Sequence, residues 1–198
     1  MNKREWKSFC ESIRVRYHPQ FPVLPKPTDQ NLDDFESAYQ FQLPRRYREF
    51  AKFFGAGVLA TTYNIYAPGY RDLPKPQAGP RHDLGYFLDN SPRLFHAEFE
   101  TDNTEVGRIH KLVYFCATTY GNIIGWDPGD PRDSRKKEYG IYESLRGEES
   151  LKYLAASFPE FVEQICFGPP DCWEEEWDNQ HPSVRVFEPA WEFADHQE

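Results

Sequence analysis

Apolar residues recur along this chain at helical spacing in some stretches and at alternating spacing in others, and each change of period marks a new element. Trp6, Phe9, Cys10, Ile13 and Tyr17 are spaced as one face of a helix, which predicts an amphipathic N-terminal helix within residues 3–17. Pro19, Pro22, Pro25 and Pro27 then interrupt helical hydrogen bonding, so an extended linker follows. Helical spacing returns at Leu32, Phe35 and Tyr39, behind Thr28 and Asp29, whose side-chain oxygens suit an N-cap, and a helix is expected over residues 30–39. Leu43-Pro44 stops it, because proline pushes its predecessor toward extended backbone while its own φ suits a helix start. Tyr47, Phe50, Ala51 and Phe54 stand at i, i+3, i+4 and i+7 of the next helix, which leaves Arg45, Arg46, Arg48 and Lys52 largely off the apolar face. Gly55 and Gly57 end that helix.

Beyond Gly57 the period shortens. Residues 58–66, rich in Thr, Tyr and Ile, read as a strand, and a Pro- and Gly-rich loop follows through residue 82, of a length expected to be functional or mobile. Ser91-Pro92 offers an N-cap and first turn for a helix to Phe99, with Leu84, Phe87 and Leu88 in a preceding turn. Residues 111–117 are apolar on both alternating faces, Leu112, Tyr114 and Cys116 against Val113, Phe115 and Ala117, as expected of a central strand. Tyr120-Gly121-Asn122 supplies a hairpin turn into a strand at 123–127. A polar loop over 127–137, a strand at 139–143, one or two closing helices over 151–167 and an edge strand at 183–187 complete the expected order.

Three blocks of this pattern resemble one family. Phe35-Glu36 ahead of Tyr39, Leu43-Pro44 with Tyr47 three residues on, Phe50, and the Gly55 stop form the first. The run 112–116, Gly121-Asn122 and a strand ending in Asp127 form the second, and Ser157-Phe158-Pro159-Glu160-Phe161-Val162 the third. In that order, over residues 28–167, they are similar to the SUKH superfamily of Smi/Knr-type cell-wall regulators and bacterial immunity proteins. The resemblance implies structural roles for Phe35, Leu43, Pro44, Tyr47, Phe50, Gly55, Gly121, Asp127, Phe158 and Phe161. It also implies a non-enzymatic protein-binding module, either an immunity protein that neutralises a cognate toxin by binding it or a cytoplasmic scaffold of the Smi/Knr type. The Pro-rich segment 70–80 and the acidic stretch beyond Phe167 depart from the family pattern.

Composition narrows the picture. A length of 198 residues suits one domain with short extensions: an N-terminal helix and linker over 1–27, the family-like domain over 28–167 and an acidic, Trp-containing extension over 168–198. With 16 Phe, 12 Tyr and 5 Trp, the expected core is built from rings. A net charge of −9 disfavours direct nucleic-acid binding and favours solubility or a basic partner. No membrane span or signal core is recognisable, so a cytoplasmic location is expected, with Cys10, Cys116, Cys166 and Cys172 as reduced thiols.

The usual catalytic patterns do not fit. Gly55-x-Gly57-x-x-Ala60 has the letters of a dinucleotide fingerprint but follows a helix and opens a strand, the reverse of what that motif requires. Cys166, Cys172 and His181 are weakly spaced for zinc, and Asp127, Asp130 and Asp133 lack the ligand interval of a calcium loop. Neither a catalytic residue nor a metal or other cofactor is assigned. The candidate contact residues are the acidic cluster Glu174, Glu175, Glu176, Trp177 and Asp178, which reads either as a solvated face or as a surface for a basic toxin domain, and the rings Tyr66, Tyr70, Tyr120 and Trp126, at least half of which are expected to pack instead. The fold expected is a single α+β domain with a mainly antiparallel central sheet flanked by helices.

Overall fold

The computed structural model describes residues 1–71, 82–95, 104–135, 137–145, 150–168 and 185–191. Its helices are α1 (Lys3–Glu11), α2 (Asp29–Tyr39), α3 (Arg45–Phe54), α4 (Leu84–Phe95), α5 (Thr104–Ile109) and a turn, α6 (Phe158–Glu160), which runs into a π-helix (Phe161–Cys166). The strands are β1 (Arg14–Val15), β2 (Gly57–Leu59), β3 (Tyr63–Ile65), β4 (Val113–Thr118), β5 (Ile123–Asp133), β6 (Glu138–Ser144), β7 (Leu151–Ala155) and β8 (Val186–Pro189). They form one eight-stranded sheet in the order β1-β8-β2-β3-β4-β5-β6-β7, antiparallel except for the β1–β8 pair. The predicted α+β class and the mainly antiparallel sheet are both present.

Helix boundaries follow local chemistry. Thr28 caps α2 through the Asn31 N–H, and Pro44 precedes the first residue of α3. Gly55 closes α3 at φ +80, where a Cβ would also press on the Tyr70 hydroxyl. Ser157 accepts from the Glu160 N–H, starting the closing turn with Pro159 inside it.

Several expectations are corrected. Residues 58–66 are a hairpin, β2 and β3, turning through Ala60 and Thr61 at positive φ, where no glycine announces a turn. The α4 helix begins seven residues before Ser91, because Asp83 caps it by accepting from the Tyr86 N–H at 2.9 Å, and Pro92 lies inside it. The segment 127–133 continues β5 with irregular pairing to β6 instead of looping, and 151–155 is strand, not helix. The strand near 183–187 is β8, inserted between β1 and β2 rather than at the edge. Arg46 is buried beside Glu49, and Tyr17 is exposed beyond α1.

The two sheet faces carry two apolar clusters. Neighbouring residues of one strand point to opposite faces, so Phe115, Ile124 and Ile141 join the larger cluster while Tyr114, Ile123 and Tyr142 join the smaller. A register shift in β4 between Tyr114 and Cys116 puts Phe115 and Cys116 into the same cluster, which breaks the strict alternation expected there. The larger cluster is a lattice of rings. Phe115 stacks on Trp126 at 4.1 Å between centroids, Tyr47 meets Trp126 edge-on at 4.8 Å, and Phe158 meets Tyr47 and Phe50 edge-on, each at 5.3 Å. Tyr47 also donates its hydroxyl to the Tyr66 carbonyl, so its polar end is satisfied inside the core. Trp6 and Phe9 of α1, and Phe187 of β8, pack into the same cluster.

Candidate partner-binding face

The smaller cluster, Phe87, Ile109, Leu112, Tyr114, Ile123 and Tyr142, lies under α4 and α5. From the last turn of α5 the sheet face continues as a ladder in which Arg108, Arg132 and Tyr153 are partly exposed and Tyr142 is buried. Asp127 follows the buried Trp126 and so points to this face; its carboxylate accepts from Arg108 Nε at 2.6 Å and from the Gly129 N–H at 2.8 Å. That bond holds the Arg108 guanidinium still more firmly in its charged form. The Arg108 guanidinium lies over the Tyr142 ring at 4.2 Å.

Tyr142 opposes Tyr153 in the β6–β7 register, and their rings meet edge-on at 5.4 Å. The Tyr142 hydroxyl donates to Asp130 at 2.8 Å, and the same carboxylate oxygen accepts from Arg132 Nε and a terminal nitrogen at 2.9 and 2.6 Å. Arg132 in turn lies over Tyr153 at 5.2 Å. Gly140 makes this possible, since a Cβ there would overlap the Asp130 carboxylate. Each long side chain is therefore held by a ring and an ion pair. The side chains of Arg108 and Arg132 nevertheless remain 40% and 41% exposed, and Tyr153 is 45% exposed.

The sequence-predicted contact residues fare differently. Tyr120 stands 59% exposed at the β4–β5 turn. Tyr66 is half-buried, stacked on Phe87 at 3.8 Å. Tyr70 and Trp126 are core residues, not contact rings; the Tyr70 hydroxyl accepts from the Ala56 N–H, and burial pushes its pKa up to about 12. Glu174, Glu175, Glu176, Trp177 and Asp178 lie outside the described residues, as do Cys172 and His181. Cys166 is buried, with burial pushing its thiol pKa well up. Asp127 and Asp130 are committed to Arg108 and Arg132, while Asp133 accepts from the Arg135 N–H.

Of the family-like positions, Phe35, Leu43, Tyr47, Phe50, Phe158 and Phe161 are in the core. Pro44 and Gly55 bound α3, Gly121 makes the β4–β5 turn at φ +93, and Asp127 anchors Arg108. Sequence reasoning missed Arg108, Arg132, Tyr142 and Tyr153 as a group. Tyr142 on a recognised strand was the available signal, but reading 151–155 as helix hid its cross-strand partner.

Among the described residues, these features define a single-domain α+β protein whose sheet is packed by helices on one face and partly bare on the other. The sequence model of the SMI1 / KNR4 family (SUKH-1) matches residues 26–164, well over half of the chain, and the chain belongs to that family. No curated protein and no solved structure gives a significant match. Among the described residues no helix is long and apolar enough to cross a membrane.

Proposed function

We propose that this chain is a non-enzymatic binding module that neutralises a cognate toxin by docking on it and covering its active site. The observation that carries this reading is the Arg108–Tyr142–Arg132–Tyr153 ladder, in which Arg108, Arg132 and Tyr153 are held in place yet partly exposed around the buried Tyr142. Tyrosine and arginine are the residue types that concentrate binding energy at protein interfaces, and holding them in place beforehand lowers the entropy lost on docking. Membership of a family whose proteins generally bind other proteins supports the same reading. The net charge of −9 would draw in a toxin domain of net positive charge, and the cluster Glu174–Asp178 would add to that attraction.

The test is co-expression with the product of the adjacent gene. Toxicity of that product, relieved by this chain, together with co-purification of the two as a complex, is the expected outcome. A harmless neighbour, combined with capture of an endogenous regulatory protein by the purified chain, would transfer the assignment to a cytoplasmic scaffold of the Smi/Knr type.

A further inference from the structure

The segment that supplies both ladder arginines differs in charge from the rest of the chain. Between residues 108 and 137 there are six basic and three acidic residues, a balance of +3, while the remaining 17 basic and 29 acidic residues carry −12. One of those three acids, Asp127, is buried under Arg108, whereas Lys111, Arg132, Arg135 and Lys137 are exposed. The segment 108–137 is thus a basic pole in an acidic sequence, although within the ladder itself Arg108 and Arg132 are each balanced by a paired aspartate.

We infer that this pole is the docking site for a carboxylate-rich surface segment of a partner protein, with Arg108 and Arg132 as the two carboxylate receptors flanking Tyr142. This rests on the reading of the ladder as a protein-binding face. Each guanidinium is stacked on a tyrosine and tied on one side to an inner aspartate, so its orientation is fixed while 40% of its side chain in one case and 41% in the other faces outward. A fixed, planar fork can bind a carboxylate through two parallel hydrogen bonds, and prior orientation lowers the ordering cost of forming them.

Protein carboxylates fit better than nucleic-acid phosphates. Phosphate-backbone binding draws a long polyanion along the protein surface, which the strongly negative remainder of the chain opposes, whereas a short carboxylate segment need meet only the ladder. Net charge and local charge then act at different ranges. The overall −9 governs approach, whereas the basic pole fixes which part of the partner is finally gripped.

The experiment has two arms, both on the full chain. In the first, a Gly-Ser peptide carrying four Asp or Glu residues is titrated at low salt while the arginine Nε–H and tyrosine ring signals are followed by NMR, with a sequence-matched Lys peptide and a single-stranded oligonucleotide as comparisons. Shifts at Arg108, Arg132, Tyr142 and Tyr153 with the acidic peptide alone are expected, and they should vanish in R132Q. Equal or stronger shifts with the oligonucleotide, or none with the acidic peptide, would overturn the inference. In the second arm, affinity for the adjacent gene product is measured for R132Q and for R108K, which keeps the charge beside Asp127 but loses the planar fork. Each should weaken binding at least tenfold, and R132E should be rescued by a carboxylate-to-Lys change in the partner. Unchanged affinity in both variants would remove the receptor role while leaving toxin neutralisation intact. Absence of any complex would remove the toxin reading and leave the peptide arm to decide the pole.

Discussion

The two faces of the sheet solve different problems with the same residue types. On the face under α1, α2, α3 and the closing π-helix, Tyr47, Phe115, Trp126, Phe158 and Phe161 are fully buried, and each ring is fixed by other rings. On the opposite face the apolar cluster is small, and its buried Tyr142 and the exposed Tyr153 beside it carry arginines that still face solvent. An aromatic ring stabilises the fold where helices cover it and remains available for recognition where they do not. The same sheet therefore separates stability from binding, and substitutions on its two faces should have opposite signatures.

The largest effect is expected at Phe158, which meets Trp6, Tyr47, Phe50 and Phe115 edge-on. Phe158→Ala should lower unfolding free energy by about 3–5 kcal/mol through lost burial and the cavity left behind. Urea denaturation should show the midpoint falling; a change of under about 1 kcal/mol would mean the ring lattice is not the stabilising centre. Next comes Asp83 at the edge of the smaller face. Its buried carboxylate accepts from the N–H groups of Gly69, Tyr70 and Arg71 on one oxygen and from Tyr86 on the other. Asp83→Ala leaves those donors without their acceptor and should cost about 2–3 kcal/mol. Amide exchange would accelerate at residues 69–71 and 86 while remaining slow at Phe115.

That contrast also explains what could be read from sequence. The covered face was legible because its helices have plain periodicity and strong punctuation: Leu32, Phe35, Tyr47, Phe50 and Phe54 repeat at helical intervals between Thr28, Pro44 and Gly55, and all five are buried. The open face was not. Its ladder joins residues from α5, β5, β6 and β7, far apart in sequence, and no local period encodes a cross-strand ring pair or an arginine stacked above it. The polar composition of 127–137 made it look like a loop, although 127–133 continues β5 through irregular pairing that accommodates Pro128 and Pro131. Leu151 to Ala155 has too little alternation to separate strand from helix, and its identity is fixed by pairing with β6. Trp126 and Tyr70 looked available for contact because ring content alone does not reveal which rings are covered.

A smaller effect, present at neutral pH and lost in acid, is expected where α2 and α3 meet. Lys52 reaches Asp29 at 2.8 Å and Arg48 reaches Asp33 and Glu36 at 2.7 and 2.9 Å, a surface network joining the two helices. The hydrogen bond from Lys52 holds the Asp29 carboxyl below its usual range. A carboxylate whose folded pKa is depressed contributes stability above its unfolded value, and that contribution is lost as pH falls through the folded value. Asp29→Asn should therefore lower the neutral-pH midpoint slightly, and the wild-type advantage should disappear below about pH 4 as Asp29 is protonated. Stability measured from pH 2 to 7 should show the wild-type and variant curves converging in acid, with the difference reduced in 1 M salt. A gap that persists at the acid end would point to packing instead of charge.

The smallest effect on stability belongs to Tyr153, and it should accompany the largest effect on recognition. Its ring is 45% exposed, on the terminal strand of the sheet, and touches only Tyr142 and Arg132 among the ring and cation–ring contacts described. Tyr153→Ala should change unfolding free energy by no more than about 0.5 kcal/mol, as at other surface positions. If the open face binds a partner, the same substitution removes an anchor and frees Arg132 to wander, so affinity should fall about tenfold or more. Tyr120→Ala, at a still more exposed ring on the β4–β5 turn, provides the control. Calorimetry of both variants against the adjacent gene product separates the possibilities. Loss at Tyr153 alone places recognition on the ladder, equal loss at both widens the interface to the whole hairpin edge, and loss at Tyr120 alone would place recognition away from the ladder. In every case the Phe158 variant sets the opposite limit, because a destabilised fold that still binds at low temperature would show that the covered face contributes nothing directly to the partner.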